Sequence, residues 1–303
     1  MVTQIESDIS IVVPIKNMEG RLSNLVCWLS DAMKNQLEVV LVFDGCEDQT
    51  KSELESHGFR EALNLKFINT PGVGPGGARN LGLHAASRSW VVFWDSDDIG
   101  DVAALQKAIS NHTNPNTQIC ICQYRVAPFG FGTSASEMIV PAINLNIESA
   151  LLNPAVWRMI FNREFVKECN FGKMNIGEDQ VFLADALSKD PIIHFSELSV
   201  YTYFQGLPEQ LTSKKLNPQA IIASISEVET RIPKCQKTSQ PLLYLIIIKM
   251  SFTLLKRRYV TKFLRVIFSL LFNSGTIQRR FSLNYSFRAL LFILGIKQVR
   301  SGH

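Results

Sequence analysis

The sequence predicts an α/β fold, a mostly parallel sheet with helices on both faces. Three observations carry this. Across residues 1–125, short apolar runs alternate with longer amphipathic segments, the βαβ rhythm. Each run is apolar nearly throughout, as strands covered on both faces must be. Two of the runs end in aspartate, at Asp44 and Asp95. Ligands of a parallel sheet bind outside the carboxyl ends of its strands.

The elements follow in order. Residues 9–13 read as a first strand stopped by Pro14, and residues 21–34 as a helix. Residues 38–43 form a β-branched strand ending at Asp44-Gly45, and residues 63–68 a third strand. A glycine-rich stretch, residues 72–77, leads into a helix over 77–87. Residues 90–94 are a fourth strand, followed by Asp95. Strands are expected at 118–125, 156–161, 192–195 and 199–204, and a helix at 178–188. Residues 201–215 read as a Gly/Pro-containing loop, 218–230 as a helix and 233–241 as a linker.

Of the 303 residues, 46% are hydrophobic and 19% charged, which supports a sizeable core and excludes wholesale disorder. No Asp or Glu follows Glu229, while Lys234 to His303 holds thirteen Lys and Arg. The rest of the chain therefore carries eighteen basic against 27 acidic residues. An acidic body with a basic, apolar tail points to an anionic surface as the tail's partner. The apolar runs 242–248, 264–272 and 289–296 fall short of the ~18–20 residues a spanning helix needs. Interfacial helices on an anionic membrane are expected, in preference to helices packed on the protein. The tail is too aliphatic for a nucleic-acid arm, so no nucleic-acid partner is expected. Residues 1–8 are polar and show no export signal, and the six cysteines have no CxxC spacing. Free thiols in the cytoplasm are expected, with the protein peripheral on the inner face of the membrane. Cys120 and Cys122 share one strand face and read as packing; His194 reads as structural.

Three motifs carry chemistry. Trp94-Asp95-Ser96-Asp97-Asp98 crowds three carboxylates after a strand, and a divalent cation relieves that repulsion. Mn²⁺ or Mg²⁺ takes oxygen ligands, often one or two carboxylates plus substrate phosphates. The plainer reading is a cap for the next helix, which one Asp satisfies but three exceed. Gly177-Glu178-Asp179 opens a helix, where acids favour the dipole; the functional reading makes one carboxylate a general base. Gly72 to Asn80 leads a glycine-rich loop into a helix, suited to phosphate but lacking P-loop and dinucleotide spacing.

In this order, residues 10–213 resemble glycosyltransferase family 2, of GT-A fold. The match runs through the first strand with Pro14, the Asp44-Gly45 turn, Ala78-Arg79-Asn80, the Asp95-Ser96-Asp97-Asp98 motif, Trp157, Gly177-Glu178-Asp179 and Tyr201-x-Tyr203. The resemblance implies an inverting transferase moving sugar from a nucleoside-diphosphate donor, with UDP expected, to a lipid-linked or growing surface glycan. It implies a catalytic domain over 1–230, with a nucleotide-binding half 1–125 and an acceptor half 126–230. Residues 231–303 would be a basic amphipathic tail. Asp179 would be the base, with Glu178 shaping the acceptor site and Trp157 a candidate there. Asp44 would meet the nucleotide base beside the Pro14 and Ile15 backbone, with Arg79, Asp95 and Ser96 nearby. Asp97 and Asp95 would hold the metal. Tyr203 and Lys214 would close over the diphosphate. Lys16 and Phe43 depart from the family's usual Tyr and Asp. Two rivals are a sugar nucleotidyltransferase, which lacks its basic glycine-rich loop here, and a non-catalytic binding module, which the intact acidic pairs oppose.

Overall fold

Period-two alternation builds the sheet. In β1 (Ile9–Ile15), Ile9, Ile11, Val13 and Ile15 enter one apolar cluster and Val12 enters another. β2 (Glu38–Asp44) divides Val39, Leu41 and Phe43 from Val40 and Val42 in the same way. β4 (Trp90–Phe93) divides Trp90 and Val92 from Val91 and Phe93. Successive strand side chains point to opposite faces, so a strand apolar at every position needs a helical layer on each side.

The computed structural model describes residues 8–18, 22–46, 48–59, 63–111, 114–128, 138–140, 147–151, 154–174, 176–205, 217–256 and 258–273. The remaining strands are β3 (Leu65–Thr70), β5 (Ile99–Gly100), β6 (Ile119–Pro128), β7 (Met138–Val140), β8 (Met159–Asn162) and β9 (Ile193–Gln205). Their order is β3-β2-β1-β4-β8-β6-β9-β5, with β7 paired to β6. β3, β2, β1 and β4 are mutually parallel. β8 runs antiparallel to both β4 and β6, and β9 runs parallel to β6. On one face lie α1 (Ser23–Lys34) and α4 (Val102–Ser110), through Leu25, Trp28, Leu29, Leu105 and Ile109. On the other lie α3 (Gly74–Ala85), α5 (Ile147–Leu151), α6 (Arg163–Val166), α7 (Glu178–Ser188) and α8 (Pro218–Glu229). The expected α/β architecture with helices on both faces is what the chain adopts, its sheet parallel from β3 to β4 and mixed beyond β4.

Several boundaries move, each for a local reason. β1 runs through Pro14, which pairs with Val42 of β2, whereas pairing with β4 ends at Val12. Proline's missing N–H therefore faces no ladder partner and the strand continues. β3 starts at Leu65, and Leu63 lies fully exposed before it. α3 starts at Gly74 rather than residue 77, with Pro75 in its first turn, where proline's fixed φ suits a helix. Residues 193–205 form one strand with register shifts, so Tyr201 to Gln205 belong to the sheet and not to a loop. The remainder of that expected loop, Lys214 included, lies outside the described residues, as do the segment 281–296 and the last thirty residues. α2 (Asp48–Ser56) is an element the sequence reading did not name, being short and strongly polar.

The greatest departure concerns α9 (Gln240–Lys256), read from sequence as the start of a surface tail. It joins the same apolar cluster as α7 and α8, with Leu243 and residues 245–248 fully buried. A helix that is apolar all round belongs in an interior rather than at an interface. The expected linker is itself fastened: Thr238 Oγ1 and Ser239 Oγ both donate to Asp190 Oδ1, at 3.3 Å and 3.1 Å. α10 (Val260–Asn273) packs Phe263 on Phe252 of α9 at 5.1 Å and leaves Val260, Leu264 and Arg265 exposed. Among the described residues no helix is long and apolar enough to cross a membrane. Leu245→Ala is expected to cost about 2–5 kcal/mol, the range for a truncated core leucine, in urea unfolding. A change under ~0.5 kcal/mol would return α9 to the surface.

Candidate active site

The carboxyl ends of β1, β2 and β4 share one rim, and β4 leads into the acidic turn. Asp95 lies just past the strand and accepts from Arg79 Nη2 at 2.7 Å. Asn24 of α1 donates its amide to the Asp97 carbonyl at 2.9 Å, pinning the turn from the opposite helix layer. Asp98 turns inward and is 1% exposed. Its carboxylate accepts from the Tyr201 hydroxyl and the Phe204 N–H, both at 2.8 Å. Burial, then repulsion from Asp97 and Asp95, holds Asp98 well above the usual carboxylate range. The crowding read from sequence is thus relieved partly by taking one of the three acids inside.

Arg79 sits on the inner side of α3, 7% exposed, between two carboxylates from distant parts of the chain. Nη1 donates to Glu178 Oε1 at 3.0 Å as Nη2 holds Asp95. Burial opposes the guanidinium charge, and Asp95, Glu178 and Asp179 more than offset it, so its basicity rises. The Phe171 ring lies 5.5 Å from the guanidinium carbon. The close approach of α3 to this segment requires Gly76, where a Cβ would lie 2.5 Å from the Gly172 carbonyl oxygen.

Glu178 and Asp179 open α7 behind Gly177, whose φ of +82° is the left-handed conformation glycine alone adopts freely. A Cβ at Gly177 would stand 2.7 Å from the Met250 methyl, so α9 supports the turn from behind. Glu178 is buried and engaged by Arg79; Asp179 is half-buried beside it. Burial, then the Glu178 charge, pushes Asp179 up to about 8, with Arg79 pulling the other way. A carboxylate so raised is a stronger base than an ordinary aspartate and is poised near neutral pH.

Asp44 closes the rim on its other side. It is buried, and Oδ1 accepts from Thr70 Oγ1 at 2.6 Å and the Val73 N–H at 2.5 Å, while Oδ2 accepts from the Gly74 N–H at 2.9 Å. Two backbone donors that the sequence offered to phosphate are therefore occupied by Asp44. Asp44 anchors the glycine-rich loop, and any contact to a base shares a carboxylate already holding three donors. The Ile15 carbonyl beside it accepts from Cys46 Sγ at 2.9 Å. Phe43 packs inward, 6.0 Å from the Phe67 ring, and Lys16 is exposed at the rim.

With this geometry in view, comparison with known proteins is decisive on ancestry. Residues 10–169 match the sequence profile of Glycosyl transferase family 2. The chain belongs to glycosyltransferase family 2. It is 27% identical over 219 residues to the poly(ribitol-phosphate) beta-N-acetylglucosaminyltransferase TarS of Staphylococcus aureus. That alignment covers 69% of this chain and 38% of TarS. It is 24% identical over 232 residues to the glycosyltransferase EpsJ of Bacillus subtilis, covering 69% of this chain and 64% of EpsJ. The chain thus spans under two thirds of the length of either relative. The crystal structure of S. aureus TarS 1–349 with UDP-GlcNAc superposes with a TM-score of 0.63 at 21% identity, over 93% of this chain and 80% of that one. The mannosyltransferase PcManGT of Pyrobaculum calidifontis gives 0.53 at 16% identity, over 96% and 88%. The fold is GT-A.

In this family 2 chain the residues quoted from sequence take distinct positions. Asp95, Asp179, Glu178 and Arg79 converge; Ser96 is buried within the acidic turn, and Asp97 is half-buried in it. Pro14 and Ile15 end β1 at the same rim. Tyr203 lies on β9, its ring stacked 5.8 Å from that of Trp157. Trp157 also stacks at 4.7 Å on Tyr201 and meets Tyr124 edge-on at 4.7 Å. Trp157 is half-buried in an aromatic group. Asn24 and Thr70 carry no sequence signal for the site, since isolated polar residues outside a motif leave none, and Tyr201 enters there only through the Tyr201-x-Tyr203 resemblance. Among the described residues no three His, Cys, Asp or Glu side chains group to hold a metal ion. The donors at the turn, Asp95 and Asp97, still match a hard cation that takes one or two carboxylates and completes its shell with phosphate and water.

The raised Asp179 sets a stability test. Its folded pKa, about 8, exceeds the unfolded value near 3.8, so the folded state holds a proton that the unfolded chain has lost. The stability this confers is complete below the unfolded value and lost as pH rises through about 8. Asp179→Asn removes the ionisation, so the variant is expected to melt above the wild type at alkaline pH, with the gap shrinking toward acid. Parallel melting curves at every pH would contradict the raised basicity.

Proposed function

We propose that the chain is an inverting glycosyltransferase that moves a sugar from a nucleoside-diphosphate donor to a glycan acceptor. The observation that carries this is the Arg79 bridge. One guanidinium joins the strand-end Asp95 to the helix-start Glu178, which brings the donor motif and the candidate base to one rim. Inversion needs a single displacement: a base takes the acceptor hydroxyl's proton as its oxygen attacks the anomeric carbon and the diphosphate leaves from the opposite face. Asp179 is the base in this reading, raised in basicity by burial and by Glu178. Glu178, held by Arg79, keeps that charge beside it and lines the acceptor side with Trp157.

Asp95 and Asp97 are the residues that would hold Mn²⁺ or Mg²⁺. The ion's contribution would be charge neutralisation on the departing diphosphate. Pro14, Ile15 and Asp44 border the nucleotide, with Lys214 and Tyr203 assigned to its phosphates by the family pattern. UDP is the nucleotide favoured, because TarS, the relative at 27% identity, has been solved with UDP-GlcNAc. A lipid-linked or growing surface glycan is the acceptor class favoured, in line with the poly(ribitol-phosphate) named for TarS. The thirteen bases beyond residue 233, in a stretch without Asp or Glu, support an anionic membrane surface as the place of work. α10 and the residues after it carry that role, since α9 is packed in the core.

Asp179→Asn is expected to lower transfer roughly 10²–10⁴-fold, the usual worth of a general base, with donor binding retained. Unchanged turnover would remove Asp179 from the reaction. In the wild type, kcat/KM should fall about tenfold per unit as pH drops below about 8, because protonated Asp179 accepts nothing. A flat profile contradicts this. Asp97→Ala should weaken Mn²⁺-dependent UDP binding in calorimetry; undiminished dependence would exclude Asp97 as a ligand. A panel of UDP-, GDP- and dTDP-sugars then identifies the donor.

A further inference from the structure

The acidic turn is held by a closed ring that the reaction scheme does not use. The Asp95 N–H donates to the Tyr201 hydroxyl oxygen at 3.1 Å. The same hydroxyl donates to Asp98 Oδ2 at 2.8 Å. The Asp98 N–H returns to the Asp95 carbonyl at 3.4 Å. Tyr201 is 1% exposed, as is Asp98, so no water replaces these bonds. The other Asp98 oxygen accepts from the Phe204 N–H, which ties the ring to β9 at two places. One buried phenol thus bridges the first and last residues of the Asp95–Asp98 turn and sets how its outward pair is presented.

We propose that Tyr201, acting through Asp98, is a positioning residue for the donor end of the site. It touches no reacting atom; it fixes the spacing of Asp95 and Asp97, the pair assigned to the cation and diphosphate. The inference rests on that reading of the site. Three carboxylates in four residues repel, and an unconstrained turn would splay them apart. The ring stops this by turning one acid inward onto two donors, which leaves the other two at a fixed separation. The Tyr201 ring face also stacks on Trp157 at 4.7 Å, interplanar angle 16°. The hydroxyl serves the acidic turn while the ring packs the aromatic group, so the two roles separate by chemistry.

Tyr201→Phe removes the oxygen and keeps the ring. The variant should retain near-wild-type near-UV circular dichroism. Its Mn²⁺ and UDP affinities, read by calorimetry, should weaken about tenfold or more, the scale of a lost bond to a charged group. KM for the acceptor should stay within about twofold, since the stack on Trp157 survives. Asp98→Asn opens the same ring from its other side and tests the idea should the phenylalanine variant misfold. Because both act on one ring, the double variant should bind Mn²⁺ and UDP no worse than the poorer single one. Wild-type affinity in Tyr201→Phe, or losses that add in the double variant, would overturn the inference while leaving the transferase reading intact. A wild-type protein that binds neither Mn²⁺ nor UDP would overturn both.

Discussion

The buried charge of Arg79 is the constraint on which the site depends. A guanidinium cannot stay in an interior without compensation, and here its two terminal nitrogens, Nη1 and Nη2, each find a carboxylate acceptor. Those acceptors, Asp95 and Glu178, come from the end of a strand and the start of a helix that follows much later in the chain. Satisfying one cation therefore fixes the separation of two halves of the molecule. The glycine positions conform to it. Gly76 lets α3 approach the Phe171–Glu178 segment, and Gly177 turns the chain so that α7 begins with both acids at the rim.

The same cluster is deliberately short of positive charge. Arg79 faces Asp95, Glu178 and Asp179 together, and the acidic turn adds Asp97 and Asp98. The excess has two outlets. Asp98 is taken inside, where a phenol and a backbone N–H hold it, and Asp179 gains basicity. A cationic or proton-bearing partner suits what remains at the rim. Displaced basicity of this kind clusters at functional sites.

α9 shows how composition misleads without context. Seven consecutive apolar residues before Lys249, in a basic stretch devoid of acids, look like an interfacial helix. They are instead the outer wall of the core, in contact through Met250 with the glycine that precedes the acidic pair. Net charge along a chain says which surfaces it prefers, not which segments lie on the surface. Among the described residues, Lys234 and Lys237 before α9 and Arg258 and Arg265 after it are basic side chains that meet solvent.

The sequence by itself determined the strands of the parallel half-sheet and the acids at their ends, because side-chain alternation and like-charge crowding are local properties. β1, β2 and β4, with Asp44 and Asp95 at their ends, were legible for that reason, as was the helix start at Glu178. Tertiary structure alone decided which carboxylates face outward. Asp98 and Asp97 are adjacent in sequence and equal in chemistry, yet it is the Asp98 carboxylate that turns inward, to accept from Tyr201 and Phe204 of β9. It also decided that Asp44 binds its own loop and that α9 is core. Each of these turns on partners distant along the chain, and hydrogen bonds and burial depend on distance in space, which no local pattern records.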